Sequence, residues 1–146
     1  VGAGYSGVWG VNKWISGGNP GQNEWSLGLG DANVDQFQFN VEVGAAIYST
    51  NPYPLSINQW YQAVAIRKGE KLQLYVNGIL RQEFTHPFFN QNSIINHSGK
   101  KIRIHNGYLD SFHTNADVAV LKFYKKALSK EEVMNNFNNL RGRFGI

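Results

Sequence analysis

The chain of 146 residues contains no cysteine. That excludes a disulfide framework, a thiolate nucleophile and a zinc-thiolate site, so the fold must be held without covalent staples. A chain of this length can bury enough surface to manage that. Long hydrophobic runs are missing too. No stretch approaches the roughly 20 apolar residues of a membrane-spanning helix, and the N-terminus lacks the basic and apolar regions of a signal peptide. The chain begins at Val1 rather than at Met, as expected of a processed product or an excised domain of a larger protein or assembly. Charge of one sign is also scarce: 14 Lys and Arg stand against 10 Asp and Glu, a formal net charge of +4. The basic residues are scattered, with only Lys100-Lys101, Lys122 with Lys125-Lys126, and Arg141 with Arg143 as small groups. Without a basic stripe, nucleic acid is not the expected partner.

Catalytic signatures are absent as well. There is no Gly-x-Ser-x-Gly elbow, no phosphate-cradling Gly-x-x-x-x-Gly-Lys-Ser/Thr and no His-Glu-x-x-His. His86, His97, His105 and His113 fall close together in sequence, but their spacing matches no metal-ligand pattern, which reads as surface-loop histidines. The only adjacent acidic pair is Glu131-Glu132.

What the chain does have is aromatic residues, 14% of the total, set in short alternating runs divided by Gly, Asn and Pro. The clearest unit is residues 56–78, SINQWYQAVAIRKGEKLQLYVNG. Its first strand places Trp60, Val64 and Ile66 on one face and Tyr61, Ala63, Ala65 and Arg67 on the other. Lys68 to Lys71 is a turn, and Leu72, Leu74 and Val76 then alternate with Gln73, Tyr75 and Asn77. Asn77-Gly78 supplies the positive φ angles of a two-residue hairpin turn, with residues 79–84 returning. Further strands are read at 5–11 (Trp9 and Val11 on one face), at Trp25, Leu27 and Leu29, at Phe37, Phe39, Val41 and Val43, at 102–104 and, last, at 118–124. Residues 16–21 and 30–35 read as loops. So do residues 49–54, because two prolines so close do not suit a paired central strand.

One helix is marked by its caps. Ser129 with Glu132 forms a capping box, Leu128 and Val133 form the staple around it, and Val133, Phe137 and Leu140 share the face that packs. Gly142 is the expected C-terminal stop.

Two of these segments resemble a known family. Asn58-x-Trp60-Tyr61, a strand, a charged turn and Leu72-x-Leu74-Tyr75-Val76-Asn77-Gly78 resemble the central signature of laminin-G-like, concanavalin A-like lectin/glucanase domains. VAVLKFYKKALSKEEV, residues 118–133, resembles that family's closing strand, its Tyr-x-x-Ala-Leu-Ser turn and the start of its short helix. The Asn-rich helix running into Arg141-Gly142-Arg143-Phe144-Gly145-Ile146 resembles the ending of such domains in bacteriophage structural proteins. The resemblance implies an all-β, two-sheet antiparallel jelly-roll sandwich with one C-terminal helix, and a single domain over residues 1–146. It also implies that Trp60 is a structural, core tryptophan. A further N-terminal strand is common in the family, so a sheet edge completed by a neighbour is expected. The glucanase branch carries Glu-x-Asp-x-x-Glu on one strand, so that acid and nucleophile flank a glycosidic bond. This sequence has no such pattern, and a noncatalytic module is expected.

Sugars are recognised by planar hydrogen-bonding groups for their hydroxyls and an aromatic plate for their C–H face. His105, Asn106, Tyr108, Asp110 and His113 give residues 103–115 that character, and the alternative is an ordinary long loop. Trp14, Trp25 and Tyr53, on neighbouring loops, are candidates for the same rim, although Trp25 also starts an alternating run that buries it in a core. Tyr61 and Tyr75, on outward strand faces, would line a concave sheet surface. Calcium is the cofactor the family implies, and Asp31, Asn33 and Asp35 are the alternating oxygen ligands on offer. Three functions are expected from this pattern. The leading one is a lectin-like module binding a glycan or polysaccharide on an extracellular or virion surface. The others are a virion decoration domain acting through structural protein neighbours or as a homo-oligomer, and an accessory domain of a polysaccharide-degrading enzyme.

Overall fold

A computed structural model describes residues 12–19, 23–29, 36–43, 46–87, 102–104 and 117–146. Five strands run in the order β4-β3-β2-β1-β9, all antiparallel: β1 (Asn12–Asn19), β2 (Asn23–Leu29), β3 (Gln36–Val43), β4 (Ala46–Ser49) and β9 (Ile102–Ile104). A sixth, the two-residue β5 (Tyr53–Pro54), pairs with the start of β3. Alternation sorts this sheet. Ile15, Trp25, Leu27, Phe37, Phe39 and Val41 share one face, and Ser16, Ser26, Gln38 and Asn40 the other, as the register Trp25↔Val41 and Leu27↔Phe39 requires.

Facing it is a three-stranded sheet, β6 (Ala63–Lys68), β7 (Lys71–Val76) and β8 (Ile79–Thr85). The two turns behave as read. Gly69 has φ 57°, while Asn77 and Gly78 have φ 52° and 76°, the left-handed pair that lets a two-residue turn follow the strand twist. Asn77 does more than turn: its Oδ1 accepts from the backbone N–H of Gln62, and its own N–H donates to the Gln62 carbonyl, both at 2.9 Å. Leu72, Leu74 and Val76 are buried against Ile15, Leu27, Phe37, Phe39 and Val41, which makes the core between the sheets.

The helix α1 (Lys130–Phe144) covers the other face of the small sheet. Ser129 caps it, accepting from the N–H of Glu132, whose carboxylate accepts from the Ser129 N–H. Leu128 and Val133 are buried with Ile66 and Tyr75. The helix does not stop at Gly142. It runs to Phe144 and ends on Gly145 at φ 68°, because Gly145 rather than Gly142 can donate to the Arg141 carbonyl from the left-handed region.

Other expectations are corrected by tertiary context. Residues 16–19 are strand rather than loop, because β1 and β2 pair as far as Asn19↔Asn23. The 49–54 loop is shorter than expected: β4 reaches Ser49, and Tyr53–Pro54 sits at a sheet edge, where proline's missing N–H costs no ladder bond. Thr50, between them, closes the gap with its Oγ1 accepting from the Phe39 N–H at 3.1 Å. Trp60 is 40% exposed and lies against Phe144, with ring centroids 5.2 Å apart, so it packs on the helix end and not in the core. Tyr75 lines no open surface, since α1 buries it, and Tyr61 faces the core and meets Phe37 edge-on. Residues 118–124, expected as the last strand, join neither sheet's ladders among the described residues. The 5–11 strand and the loop at 30–35 lie outside the described residues.

Candidate functional site

At one end of the large sheet four strands come level. Asn12, Leu29, Phe37 and Tyr53 stand level across four strands, because Asn12 pairs with Leu29, Leu29 with Phe37 and Phe37 with Tyr53. The β9 strand, level with β1 at Ile15↔Ile104, runs toward the same end. Two of the sequence-predicted groups adjoin these strands along the chain. Asp31, Asn33 and Asp35 fall between Leu29 and Gln36, while His105, Asn106, Tyr108, Asp110 and His113 follow Ile104. All eight lie outside the described residues. Among the described residues no group of three or more His, Asp or Glu could hold a metal ion.

Tyr53 is the candidate with a full geometry here. Half-buried, it rests against the Ile15, Leu27, Phe37, Leu74 and Val76 core, and its ring carries the Arg81 guanidinium 5.3 Å from the centroid. Arg81 reaches across from the other sheet through a β-bulge. Leu74 pairs with Gln82 but Tyr75 with Leu80, which leaves Arg81 as the extra residue. Tyr61, packed on the same core, donates its hydroxyl to Gln59 Oε1 at 3.1 Å and accepts the Ser56 N–H at 2.9 Å, which fixes the 56–61 turn. Asn58 takes φ 59° in that turn. The site thus presents an aromatic ring and a guanidinium with its fixed fork of donors.

Trp25 does not share this rim with Tyr53. Trp25 pairs across from Gly17 and Val41, toward the opposite end of β2, and faces the inter-sheet space, where it meets Phe123 edge-on at 6.1 Å. Its ring lies flat over Gly17, where an added Cβ would come within 2.7 Å of the indole. Trp14 belongs to the backbone of β1, at the register shift between Lys13 and Ile15. Arg81 was not read as a site residue. No local pattern marks a bulge, and Arg81 reaches Tyr53 only because two sheets stack.

Electrostatics elsewhere are structural. On the outer face of β7 and β8, both Glu83 oxygens are engaged, by Lys71 at 2.6 Å and Gln73 at 2.7 Å, and the Lys71 bond holds its carboxyl below the usual range. Burial under the helix pushes the Tyr75 phenol up, helped by Glu83 and Glu131. At the helix start Glu132 is lowered, first by Lys126 and then by the Ser129 N–H. No helix among the described residues is long and apolar enough to cross a membrane.

Comparison with known proteins agrees with this architecture. The family described as the concanavalin A-like lectin/glucanases superfamily, in its Laminin_G_3 form, matches residues 5–134. Among curated proteins none matches. A solved structure, that of an S-layer domain-containing protein from Clostridium thermocellum, aligns with a TM-score of 0.46 and 14% identity over 89% of this chain. This chain spans 64% of that one's length. With two antiparallel sheets, one C-terminal helix and a family match over nearly its whole length, the chain belongs to the concanavalin A-like lectin/glucanase superfamily.

Proposed function

We propose that the protein is a noncatalytic carbohydrate-recognition module of a surface-exposed protein, extracellular or on a virion, and that it takes its glycan at the Tyr53 rim. The observation that carries this reading is the pairing of the half-buried Tyr53 of one sheet with the bulged Arg81 of the other. A tyrosine ring offers the C–H face of a sugar an apolar plate, and a guanidinium held in place offers hydroxyl or carboxylate oxygens paired donors without first losing rotamer freedom. Calcium, if part of the site, would be held by Asp31, Asn33 and Asp35.

The test is a glycan and polysaccharide binding screen with calcium and again with chelator, on wild type, Arg81→Ala and Tyr53→Ala, with size-exclusion on the same samples. The reading expects retention of at least one glycan class and at least a tenfold loss in both variants, with folding unchanged by melting. Loss in chelator would bring the 30–35 residues into the site as calcium ligands. Absence of binding together with stable oligomers would instead assign the domain to particle assembly.

A further inference from the structure

Asn77-Gly78 is a turn and also a reactive pair. An asparagine amide followed by glycine is open to attack by the glycine's own main-chain nitrogen, because no Cβ on that residue stands in the way. In the reaction the Gly78 nitrogen gives up its proton to hydroxide and bonds to Asn77 Cγ. The Cγ–Nδ2 bond breaks, and Nδ2 leaves as ammonia with a proton taken from water, which restores the hydroxide. Water then opens the cyclic imide, at Cγ to give aspartate or at the Asn77 main-chain carbonyl carbon to give isoaspartate, in which the backbone runs through the side chain. Nothing is oxidised or reduced: with one water consumed, an amide becomes a carboxylic acid.

The fold withholds the geometry that this attack needs. Cγ must swing onto the Gly78 nitrogen, which requires both the Asn77 side chain and the 77–78 peptide to turn. Both are pinned by one residue of the neighbouring strand's approach: Asn77 Oδ1 accepts from the Gln62 N–H, and the Asn77 N–H donates to the Gln62 carbonyl, each at 2.9 Å. The left-handed φ angles of 52° and 76° hold the intervening peptide in its two-residue turn. The Gln62 N–H draws charge from Cγ, but polarisation makes no bond while the nucleophile is out of reach. Helix α1 is the third restraint. Gly78 is buried, and a Cβ on it would lie 3.0 Å from Met134 Sδ and 3.1 Å from the Phe137 ring, so the helix closes that side of the turn.

We propose that Asn77 is a latent deamidation site gated by α1, closed while the helix covers Gly78 and open when it lifts. The two products then act in opposite ways. Aspartate keeps an oxygen for the Gln62 N–H, now with a charge that strengthens the bond, and the turn re-forms. Isoaspartate adds a backbone atom to a two-residue turn whose pairing Val76↔Ile79 leaves no place for it, and Gly78 loses its seat under Met134 and Phe137. Opening of the helix thus permits a covalent change that keeps it open.

Peptide mapping by mass spectrometry, during incubation of the whole chain in mildly alkaline buffer, tests this against a synthetic peptide of residues 71–84 as the unrestrained reference. Asn77 in the folded chain should convert at least about tenfold more slowly than in the peptide, since the attack geometry is reached only through local opening; equal rates would overturn the proposal. Ser129→Ala at the cap and Phe137→Ala at the buried face loosen α1 to different degrees. The rate should rise from wild type through S129A to F137A, with circular dichroism showing that the sheets remain. One common rate in wild type and folded S129A would mean that α1 is no gate. Hydrogen exchange on the separated products is the last readout: α1 amides should exchange faster in the isoaspartate fraction than in the aspartate fraction, and identical protection would overturn the coupling.

Discussion

Gly17 is where one atom decides most. The Trp25 indole lies against its Cα, so a methyl group there would meet ring carbons and the ring nitrogen at 2.7 Å. The partly buried Trp25 ring packs against both core clusters between the sheets, so it is not a free chain end. Gly17→Ala should cost about 1–3 kcal/mol by overpacking, seen as a fall in thermal midpoint of several degrees; a midpoint within a degree of wild type would show that the ring has room. Glu83 makes a pH-dependent contribution. Its carboxyl is depressed in the folded state, so the stabilisation is present above the unfolded value of about 4.3 and is lost as pH falls through the lower folded value. The pair with Lys71 is largely solvated, and its worth is below about 1 kcal/mol. Urea titrations between neutral and acid pH should show wild type losing more stability than Glu83→Gln; parallel pH profiles would mean that the Lys71 and Gln73 bonds add nothing.

At the scale of elements, the 77–78 turn and α1 are one joint. Gly78 has positive φ, and a Cβ there would meet Met134 Sδ at 3.0 Å and the Phe137 ring at 3.1 Å, so the hairpin tip is packed under the helix. Gly78→Ala combines backbone strain with that contact and should cost more than about 1 kcal/mol. Ser129→Ala, which removes the cap, should cost about 1 kcal/mol and raise amide exchange in the first helical turn while leaving the sheets protected. Equal loosening of sheet and helix would show that the cap acts on more than α1. These two sites also show how legible the elements were. The capping box of Ser129 and Glu132 and the left-handed pair Asn77-Gly78 are set by residue types within three positions, and each formed as read, although Asn77 also bonds to Gln62. Gly142 did not stop the helix, because Gly145 takes the left-handed position whose N–H reaches the Arg141 carbonyl, and nothing in the spacing distinguishes the two glycines.

In the whole molecule, stability rests on the layer where Leu72, Leu74 and Val76 meet the large sheet. Leu74 is fully buried, and Leu74→Ala should cost about 2–5 kcal/mol, lowering fluorescence and far-UV transitions together if the two sheets unfold as a unit; separated transitions would mean they do not. What the sequence determined by itself was local. The period of two at Phe37, Phe39 and Val41, the hairpin at Asn77-Gly78 and the capping box at Ser129 depend on contacts close along the chain, so the elements and the all-β class could be read without coordinates. The tertiary structure decided which residues meet across the sequence. Stacking of the sheets brought Arg81 over Tyr53, pairing of β1 with β2 set Trp25 onto Gly17, and packing of α1 covered Tyr75, a residue whose alternation alone had set it facing outward. Alternation gives a side chain one of two faces, but whether that face meets solvent, a helix or a second sheet depends on elements far away in the chain.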